Sequence, residues 1–202
     1  MDENELIARS QKKDVAAFNL LVERYQQLAY NVALRMLGDV PSAEDATQEA
    51  FISAYEHIKQ FRGGSFRSWL LRIVSNTSLD MLRSRKRRAS IPLDDLPAGW
   101  ESSPLMADPD TPEEFVLRRE LRSQIQRGLL ALPPDQRAAI ILSDLHGLTY
   151  DEIATITNST LGTVKSRISR GRARLRDLLL LERELLPQSR RLIKEQDTRD
   201  ET

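Results

Sequence analysis

The strongest candidates for chemistry are six basic side chains between residues 158 and 176, a stretch that contains no acid. If this stretch is a helix that turns about 100° per residue, Val164, Ile168 and Leu175 form one apolar stripe, which predicts a buried face. Small, polar and basic residues lie opposite or beside that stripe: Gly162, Thr163, Lys165, Ser166, Ser169, Arg170 and Ala173. Short side chains allow close approach to a DNA major groove, and Arg or Lys can donate hydrogen bonds to guanine edges. The pattern therefore predicts a helix that reads duplex DNA.

The residues just before this helix supply the rest of a helix-turn-helix over 150–169. Thr149 and Glu152 have the spacing of a capping box, in which each side chain accepts a hydrogen bond from the other residue's backbone N–H. A short helix from Tyr150 and a tight turn at 158–160 then lead into the longer helix. The alternative is an ordinary helix with a solvated basic face, but ordinary protein surfaces mix both signs of charge.

Charge is segregated along the chain, although the totals of basic and acidic residues are equal at 30 each. Residues 62–88 contain eight basic side chains and one acid, Asp80, whereas residues 89–114 contain seven acids and no base. Four prolines between residues 89 and 111 interrupt any helical period, which predicts a flexible linker. Its acids could imitate nucleic acid within a basic channel, or they could simply keep a spacer solvated. The chain is therefore organised as two basic modules joined by an acidic segment.

The composition excludes several classes of function. Without cysteine the chain has no disulfide, no thiolate chemistry and no Cys-based zinc site. Its two histidines, His57 and His146, are far apart in sequence and have no ligand spacing. Because no nucleophile with a base, metal cluster or phosphate-binding loop stands out, we predict no enzymatic activity, no metal and no cofactor. No apolar run is long enough to span a membrane, so we expect no membrane insertion and a cytoplasmic protein.

Two rival functions fit parts of this pattern. A dimeric repressor or activator could use the helix-turn-helix alone and pair through the apolar residues at 178–186. A small helical enzyme acting on nucleic acid could hold Mg²⁺ on Glu44, Asp45 and Glu49, although adjacent acids on one helix are usually solvated. The repressor leaves the basic module at 62–88 unexplained, and the enzyme lacks a recognisable catalytic arrangement.

Helical spacing and capping residues divide the chain into elements. The predicted helix starts, each marked by a capping side chain or a proline, are Asp14, Ser42, Ser65, Thr111, Pro133 and Thr149. Ser42 is expected to form a capping box with Asp45 and to open a helix over 43–59, while Gly38 and Gly147 end helices. No stretch alternates as a strand does. The expected fold is all-α, with two small helical domains at 1–88 and 112–182, a flexible acidic linker at 89–111 and a charged tail at 183–202.

Three passages of the sequence resemble the extracytoplasmic-function (ECF) group of bacterial sigma-70 factors. Residues 17–21 with Tyr25 resemble the opening of the family's sigma-2 domain, and residues 45–51 resemble its core-polymerase-binding motif. Residues 148–154 and 162–167 are similar to its sigma-4 helix-turn-helix. The resemblance implies a sigma-2-like bundle and a sigma-4-like helix-turn-helix. It also implies a sigma factor that binds core RNA polymerase and directs promoter-specific initiation by recognising the −35 and −10 elements and helping to open the −10 region.

The same resemblance implies partners. Residues 45–58 would dock on the clamp helices of the polymerase's largest subunit, through Asp45, Gln48, Glu49 and Phe51. The sigma-4 domain would lie near the flap region of the polymerase, and an anti-sigma factor would hold the protein inactive. Independently of the family, Glu44 and its acidic neighbours form a polar patch that suits a basic partner or merely solubilises the helix.

Two sets of DNA contacts also follow from the resemblance. The −10 set, expected to hold an unstacked base and single-stranded DNA, comprises Arg62, Gly63, Gly64, Ser65, Phe66, Arg72, Asn76 and Asp80. The −35 set comprises Thr163, Lys165, Ser166, Arg167, Ser169 and Arg170. Arg167 lies beside the apolar stripe of its helix, so we expect it to contact phosphate only. Trp69, at helical spacing with Leu70 and Ile73, is predicted to pack in the core.

Overall fold

The computed structural model describes residues 1–88 and 112–184, and every regular element in these two ranges is helical. The helices are α1 (Glu3–Gln11), α2 (Val15–Leu37), α3 (Val40–His57), α4 (Phe66–Arg88), α5 (Pro112–Leu130), α6 (Pro134–Ile140), α7 (Tyr150–Ile156) and α8 (Leu161–Glu184). A 3-10 turn, Ile58–Gln60, follows α3, and a π-helical turn, Ile141–Leu145, continues α6. The all-α prediction is confirmed. The predicted linker at 89–111 and all but the first two residues of the predicted tail lie outside the described residues.

No helix in the described part of the chain has the length and apolar character needed to cross a membrane.

Helices α1 to α4 form an N-terminal unit, residues 1–88, around the long helix α2. Buried alanines recur every third or fourth residue along one face of α3: Ala43, Ala46, Ala50 and Ala54. Their small side chains allow α3 to lie close to the neighbouring helices, which positions the exposed acids of its opposite face.

Four predicted helix starts are confirmed: Asp14, Ser65, Pro133 and Thr149. The predicted start of α3 is wrong, and Thr111 lies outside the described residues. Asp14 accepts a hydrogen bond from the backbone N–H of Ala17 at 3.1 Å, as expected of an N-cap. The predicted capping box of Ser42 with Asp45 is wrong, because Asp39 caps α3 by accepting from the N–H of Ser42 at 2.9 Å. Pro41 lies in the first turn of the helix, where its missing N–H costs nothing.

Helix α1 had no counterpart in the sequence prediction. It buries Leu6 and Ile7 against the rest of the N-terminal unit. Its start follows Asp2, and the acids Glu3 and Glu5 in its first turn are a helix-start signal that was available in the sequence.

The C-terminal unit, residues 112–184, packs α5 and α6 against the long helix α8. A Cβ on Gly171 would lie 2.7 Å from Ile140 Cδ1, and a Cβ on Gly128 would lie 2.6 Å from Leu175 Cδ1. Glycine at these two positions therefore permits close packing of α8 on α6 and on α5. This packing fixes the orientation of α8 and of the basic side chains along it.

Arg137 joins the elements of the C-terminal unit and is only 6% exposed. Its guanidinium donates to the backbone oxygens of Leu129, Leu130 and Leu132, at the end of α5, where carbonyls have no partner within the helix. It also donates to Met36 O, at the end of α2 in the other unit. Burial lowers the pKa of Arg137 to about 10, so the side chain stays charged at neutral pH.

The two units meet at the end of α2, where a helix of the C-terminal unit approaches the backbone directly. Gly38 ends α2 with φ +88°, and a Cβ at this position would lie 2.7 Å from Leu130 Cδ2. Gln126, buried on α5, donates to Leu34 O at 3.3 Å. The left-handed backbone and the close approach both require glycine at position 38.

A second group of contacts links the start of α4 to the helix-turn-helix. Arg67 Nη2 donates to His146 O at 3.0 Å, and Ser68 Oγ donates to Glu152 Oε1 at 2.9 Å. Burial lowers the pKa of His146 to about 4, and the nearby positive charge of Arg67 acts in the same direction. His146 is therefore neutral at this interface at physiological pH.

Candidate functional site

The helix-turn-helix predicted over 150–169 is present as α7, a turn and α8. Both halves of the capping box form, since the N–H of Thr149 donates to Glu152 Oε2 at 2.9 Å and the N–H of Glu152 donates to Thr149 Oγ1 at 3.3 Å. The backbone hydrogen bond from Thr149 holds the pKa of Glu152 below its usual value. Asn158, with φ +47°, makes the tight turn, and Thr160 caps α8 by accepting from the N–H of Thr163 at 3.2 Å.

Helix α8 divides into the buried and exposed faces that its sequence predicts. Val164 and Ile168 are 0% and 2% exposed, and Leu175 packs against the same core. Most of the predicted −35 set lies on the accessible side, with Lys165, Ser169 and Arg170 exposed and Thr163, Ser166 and Arg167 half-buried. The first turns of α8 therefore present a surface of small polar side chains with flanking cations, a shape suited to a major groove.

Three of the six cations between residues 158 and 176 form ion pairs with acids of the same unit, and one of these pairs joins Arg176 to its neighbour Asp177 at 3.2 Å. Arg167 Nη2 lies 2.7 Å from Asp135 Oδ2 on α6. Arg172 donates twice to Asp144 of the π-helical turn, at 2.6 and 2.9 Å, and these hydrogen bonds lower the pKa of Asp144. Arg167 is thus turned toward the protein rather than toward the exposed face. Its position beside the apolar stripe is as the helical wheel predicts, whereas its contact with phosphate stays a prediction, and the ion pair with Asp135 opposes it.

The loop at residues 62–65 stands between two buried aromatic side chains. Phe61 is 7% exposed and Phe66 is 0% exposed, and their ring centroids are 5.8 Å apart. Trp69 packs beside both at 5.5 Å, which confirms its predicted place in the core. Of the −10 set, Phe66 is therefore part of the core and does not share the exposed surface of the loop.

The rest of the −10 set is accessible at the loop and along one face of α4. Residues 62–65 are all exposed, and Ser65 caps α4 by accepting from the N–H of Ser68 at 3.1 Å. Arg72 and Asp80 are exposed and Asn76 is half-buried, and their spacing of four places them on one side of the helix. Asp80 forms an exposed ion pair with Arg83 at 2.8 Å, which offsets the acid on this basic face.

A third surface lies on α3. Asp45, Gln48 and Glu49 are exposed, as predicted, whereas Phe51 is 8% exposed and lines an adjoining groove. The groove, between α2 and α3, has a volume of about 650 Å³. Its apolar lining residues are Val15, Phe18, Val22, Phe51, Ile52 and Tyr55.

The exposed acids that form the rim of this surface, Asp45 and Glu49, were predicted from the sequence, but the apolar groove beside them was not. Val15 and Ile52 are 56% and 54% exposed, unusual for aliphatic side chains on adjacent helices. Val15 lies on α2 and Ile52 on α3, so the two residues line one groove only in the folded structure. An apolar groove beside exposed acids has the character of a protein-binding surface rather than a DNA-binding one.

The sequence matches family models for both units. The model for sigma-70 region 2 matches residues 21–88, and the model for sigma-70 region 4 matches residues 122–175. The ECF RNA polymerase sigma-E factor of Escherichia coli strain K12 is 44% identical over 172 residues, which cover 83% of this chain and 88% of that protein. The ECF RNA polymerase sigma factor SigE of Mycolicibacterium smegmatis is 40% identical over 159 residues, or 79% of this chain and 60% of that protein.

Two solved structures share the fold. The sigma factor RpoE in complex with the anti-sigma factor NepR from Bartonella quintana has a TM-score of 0.61 and 26% identity, covering 80% of this chain and 96% of that chain. CnrH in complex with the cytosolic domain of CnrY has a TM-score of 0.60 and 26% identity, covering 86% of this chain and 94% of that chain. A region 2 and a region 4 on one helical chain define the class as a sigma factor. The chain belongs to the ECF group of the sigma-70 family.

Proposed function

We propose that this protein binds core RNA polymerase and directs it to promoters by recognising the −35 and −10 elements and helping to open the −10 region. The observation that carries the proposal is the presence of three separate surfaces on one chain. These are the accessible face of α8, the loop at 62–65 with one face of α4, and the acidic rim and groove of α3. The protein then acts as an initiation factor rather than an enzyme, in the cytoplasm.

We divide the chain into a sigma-2-like domain at 1–88, a linker at 89–111, a sigma-4-like domain at 112–182 and a tail beyond it. In the sigma-4-like domain, Ser166 and Ser169 permit close approach of α8 to the major groove. Lys165 and Arg170 are exposed and form no ion pair with any other described residue, so they are available for guanine edges or phosphates. Arg167, held by Asp135, contributes least to base recognition.

In the sigma-2-like domain, the loop at 62–65 would receive a −10 base that has left the stack. Two glycines leave the backbone amides of this loop accessible to a base or phosphate. Arg72 and Asn76 continue the surface along α4 and would contact the adjacent single strand. Phe66 supports the loop from within the core and does not itself touch DNA.

The surface of α3 would dock core polymerase. Asp45 and Glu49 offer charge complementarity to a basic partner, and the groove beside them accepts apolar side chains of a helix. This combination fits the clamp helices of the largest polymerase subunit, with the flap region near the sigma-4-like domain. Since the similar sigma factor RpoE from Bartonella quintana was solved in complex with an anti-sigma factor, we propose that an anti-sigma factor also binds this chain.

The two units must separate before one duplex can engage both DNA sets. Ser68, three residues from the loop at 62–65, lies 2.9 Å from Glu152 of the helix-turn-helix. On straight duplex DNA the −35 and −10 positions are about 85 Å apart, because each base pair rises about 3.4 Å. The observed arrangement is therefore a closed form that can occupy at most one promoter element at a time.

Charge changes on two surfaces test the proposed division of roles. Ser166→Glu places an acid against the groove, so it should abolish −35 binding and leave core binding intact. Asp45→Lys with Glu49→Lys should abolish core binding and leave the −35 surface intact. Both binding steps are measured separately, with labelled −35 duplex and with purified core polymerase.

Matched variants control for net charge. Gln124→Glu adds one negative charge to α5 of the same unit as Ser166, and Glu5→Lys with Glu23→Lys reverses two exposed acids on α1 and α2. Neither control should change DNA or core binding. If the Ser166 variant and the α3 variant lost the same activity, the division of the surfaces would be wrong.

A further inference from the structure

The loop at residues 62–65 projects from the N-terminal unit with little to hold it in place. All four residues are exposed, and Gly63 and Gly64, with φ of +98° and +86°, have open space where a Cβ would lie. Two adjacent glycines give a loop many conformations, and fixing it on a ligand costs conformational entropy. The affinity of such a loop therefore depends on how firmly its two ends are oriented.

The two ends are held by different side chains. At the C-terminal end, Ser65 caps α4 through the N–H of Ser68. At the N-terminal end, Gln11 Nε2 donates to Phe61 O at 2.8 Å and more weakly to Ile58 O at 3.3 Å. The oxygen of Phe61 belongs to the planar peptide that leads into the loop, so this hydrogen bond sets the direction in which the chain leaves the body of the unit.

Gln11 comes from α1, which is itself anchored at this point. Ser10, next to Gln11, is fully buried, so this end of α1 packs against the rest of the unit. Just beyond the helix, Lys13 turns the chain with φ +67°, and its Nζ donates to Tyr55 O at 3.1 Å. The same ammonium lies 4.5 Å from the centroid of the Tyr55 ring. The C-terminal end of α1, which carries Gln11, is therefore held against α3 by the contacts of Lys13 with Tyr55.

We propose that Gln11 is a positioning residue for −10 recognition, acting through the peptide that enters the loop at 62–65. This rests on the proposed function, in which that loop contacts the −10 element. Gln11 touches no DNA. Its two hydrogen bonds hold the loop in the orientation that binds DNA before the DNA arrives, and their loss should weaken −10 binding about threefold to tenfold.

The test compares two Gln→Leu variants in holoenzyme reconstituted with core polymerase. Gln11→Leu removes the donor while keeping a side chain of similar size. Gln60→Leu makes the same change at an exposed residue next to Phe61, and no hydrogen bond of the Gln60 side chain to other described residues is present. The probes are a randomised single-stranded oligonucleotide pool, selected by holoenzyme and sequenced, and a −35 duplex without a −10 element.

The expected result is that Gln11→Leu binds the selected −10 strand about threefold to tenfold more weakly and selects a less defined sequence. Core binding, −35 binding and the Gln60→Leu variant should match the unmodified protein. Unchanged −10 affinity and sequence preference in Gln11→Leu would overturn the proposal. Equal losses of core and −10 binding would also overturn it, because they would show that Gln11 only supports folding.

A loop variant separates failure of this inference from failure of the proposed function. Arg62→Ala changes the loop itself and leaves the contacts of Gln11 in place. If Arg62→Ala weakens −10 binding and Gln11→Leu does not, the positioning role is wrong and the proposed function stands. If Arg62→Ala, Gln11→Leu and Ser65→Ala all leave −10 binding unchanged, the assignment of the loop to the −10 element is wrong.

Discussion

The ion pairs on α8 predict which of its cations control the salt dependence of −35 binding. Arg167 and Arg172 are engaged by Asp135 and Asp144, and Arg176 contacts its neighbour, Asp177. Lys165, Arg170 and Arg174 form no ion pair with another described residue, although Arg174 donates to the neutral Gln136 at 3.3 Å. We therefore predict that Lys165→Gln lowers the salt dependence and that Arg172→Gln does not.

The magnitude follows from counterion release. Each phosphate contact on duplex DNA contributes about −0.9 to the slope of log affinity against log salt concentration. Three available cations give α8 a contribution of about −2.7, so a fourfold rise in salt costs about 40-fold in affinity. Without the ion pairs, six cations would give a contribution of about −5.4. Lys165→Gln should make the slope shallower by about 0.9, and Arg172→Gln should leave it nearly unchanged.

The assay is fluorescence anisotropy of holoenzyme on a labelled −35 duplex across a range of salt concentrations. Contacts from the rest of the holoenzyme contribute equally to all variants, so only the differences between slopes are interpreted. An Arg172→Gln slope that fell as much as the Lys165→Gln slope would show that the ion pairs of α8 do not select its phosphate contacts. An unchanged slope in Lys165→Gln would refute the assignment of Lys165 to the DNA face.

Three further predictions concern the units and their interface. Leu130→Glu places a carboxylate against Gly38 and should open the closed form, whereas Leu121→Glu, on the exposed side of the same helix, should not. Fluorescence energy transfer between dyes on two engineered cysteines reports the distance, since the chain has no native cysteine. Arg137→Met removes the side-chain donor to the backbone oxygens of Leu130, Leu132 and Met36 and should lower the free energy of unfolding by about 3–5 kcal/mol in urea titrations. The hydrogen bonds from Arg172 lower the pKa of Asp144 below its ordinary value of 3.8, so their stabilisation should be present above that value and be lost progressively as the pH falls from there through the lowered folded pKa. NMR titration of the Asp144 carboxyl would check this, and an unshifted pKa would contradict it.

Local signals allowed much of the fold to be predicted. The capping box at Thr149, the N-cap at Asp14 and the helix-ending glycine at 38 each act within a few residues, so the sequence reveals them directly. The faces of α8 were predictable for the same reason, because helical periodicity alone separates Val164 and Ile168 from Lys165 and Ser169.

Several features that were missed or misassigned depend on contacts between distant residues, whereas the start of α3 depends on a local choice between two capping residues. Phe66 was assigned to the −10 set by the family resemblance, but it is buried among the rings of Tyr25, Phe61 and Trp69, and Tyr25 comes from the distant helix α2. The start of α3 was misassigned because both Asp39 and Ser42 are good capping residues, and Asp39 takes the role with a proline in the first turn. The groove between α2 and α3 and the hydrogen bond from Gln11 to Phe61 join residues far apart in the chain, where periodicity gives no information.

Run-off transcription with purified core polymerase tests the central claim most directly. Genomic DNA fragments are transcribed by core polymerase alone and by core polymerase with the unmodified chain, and transcript starts are mapped. We predict discrete start sites only when the chain is present, with a shared −35 and −10 pattern upstream of them. Start sites that remain as scattered as those of core polymerase alone would contradict the account.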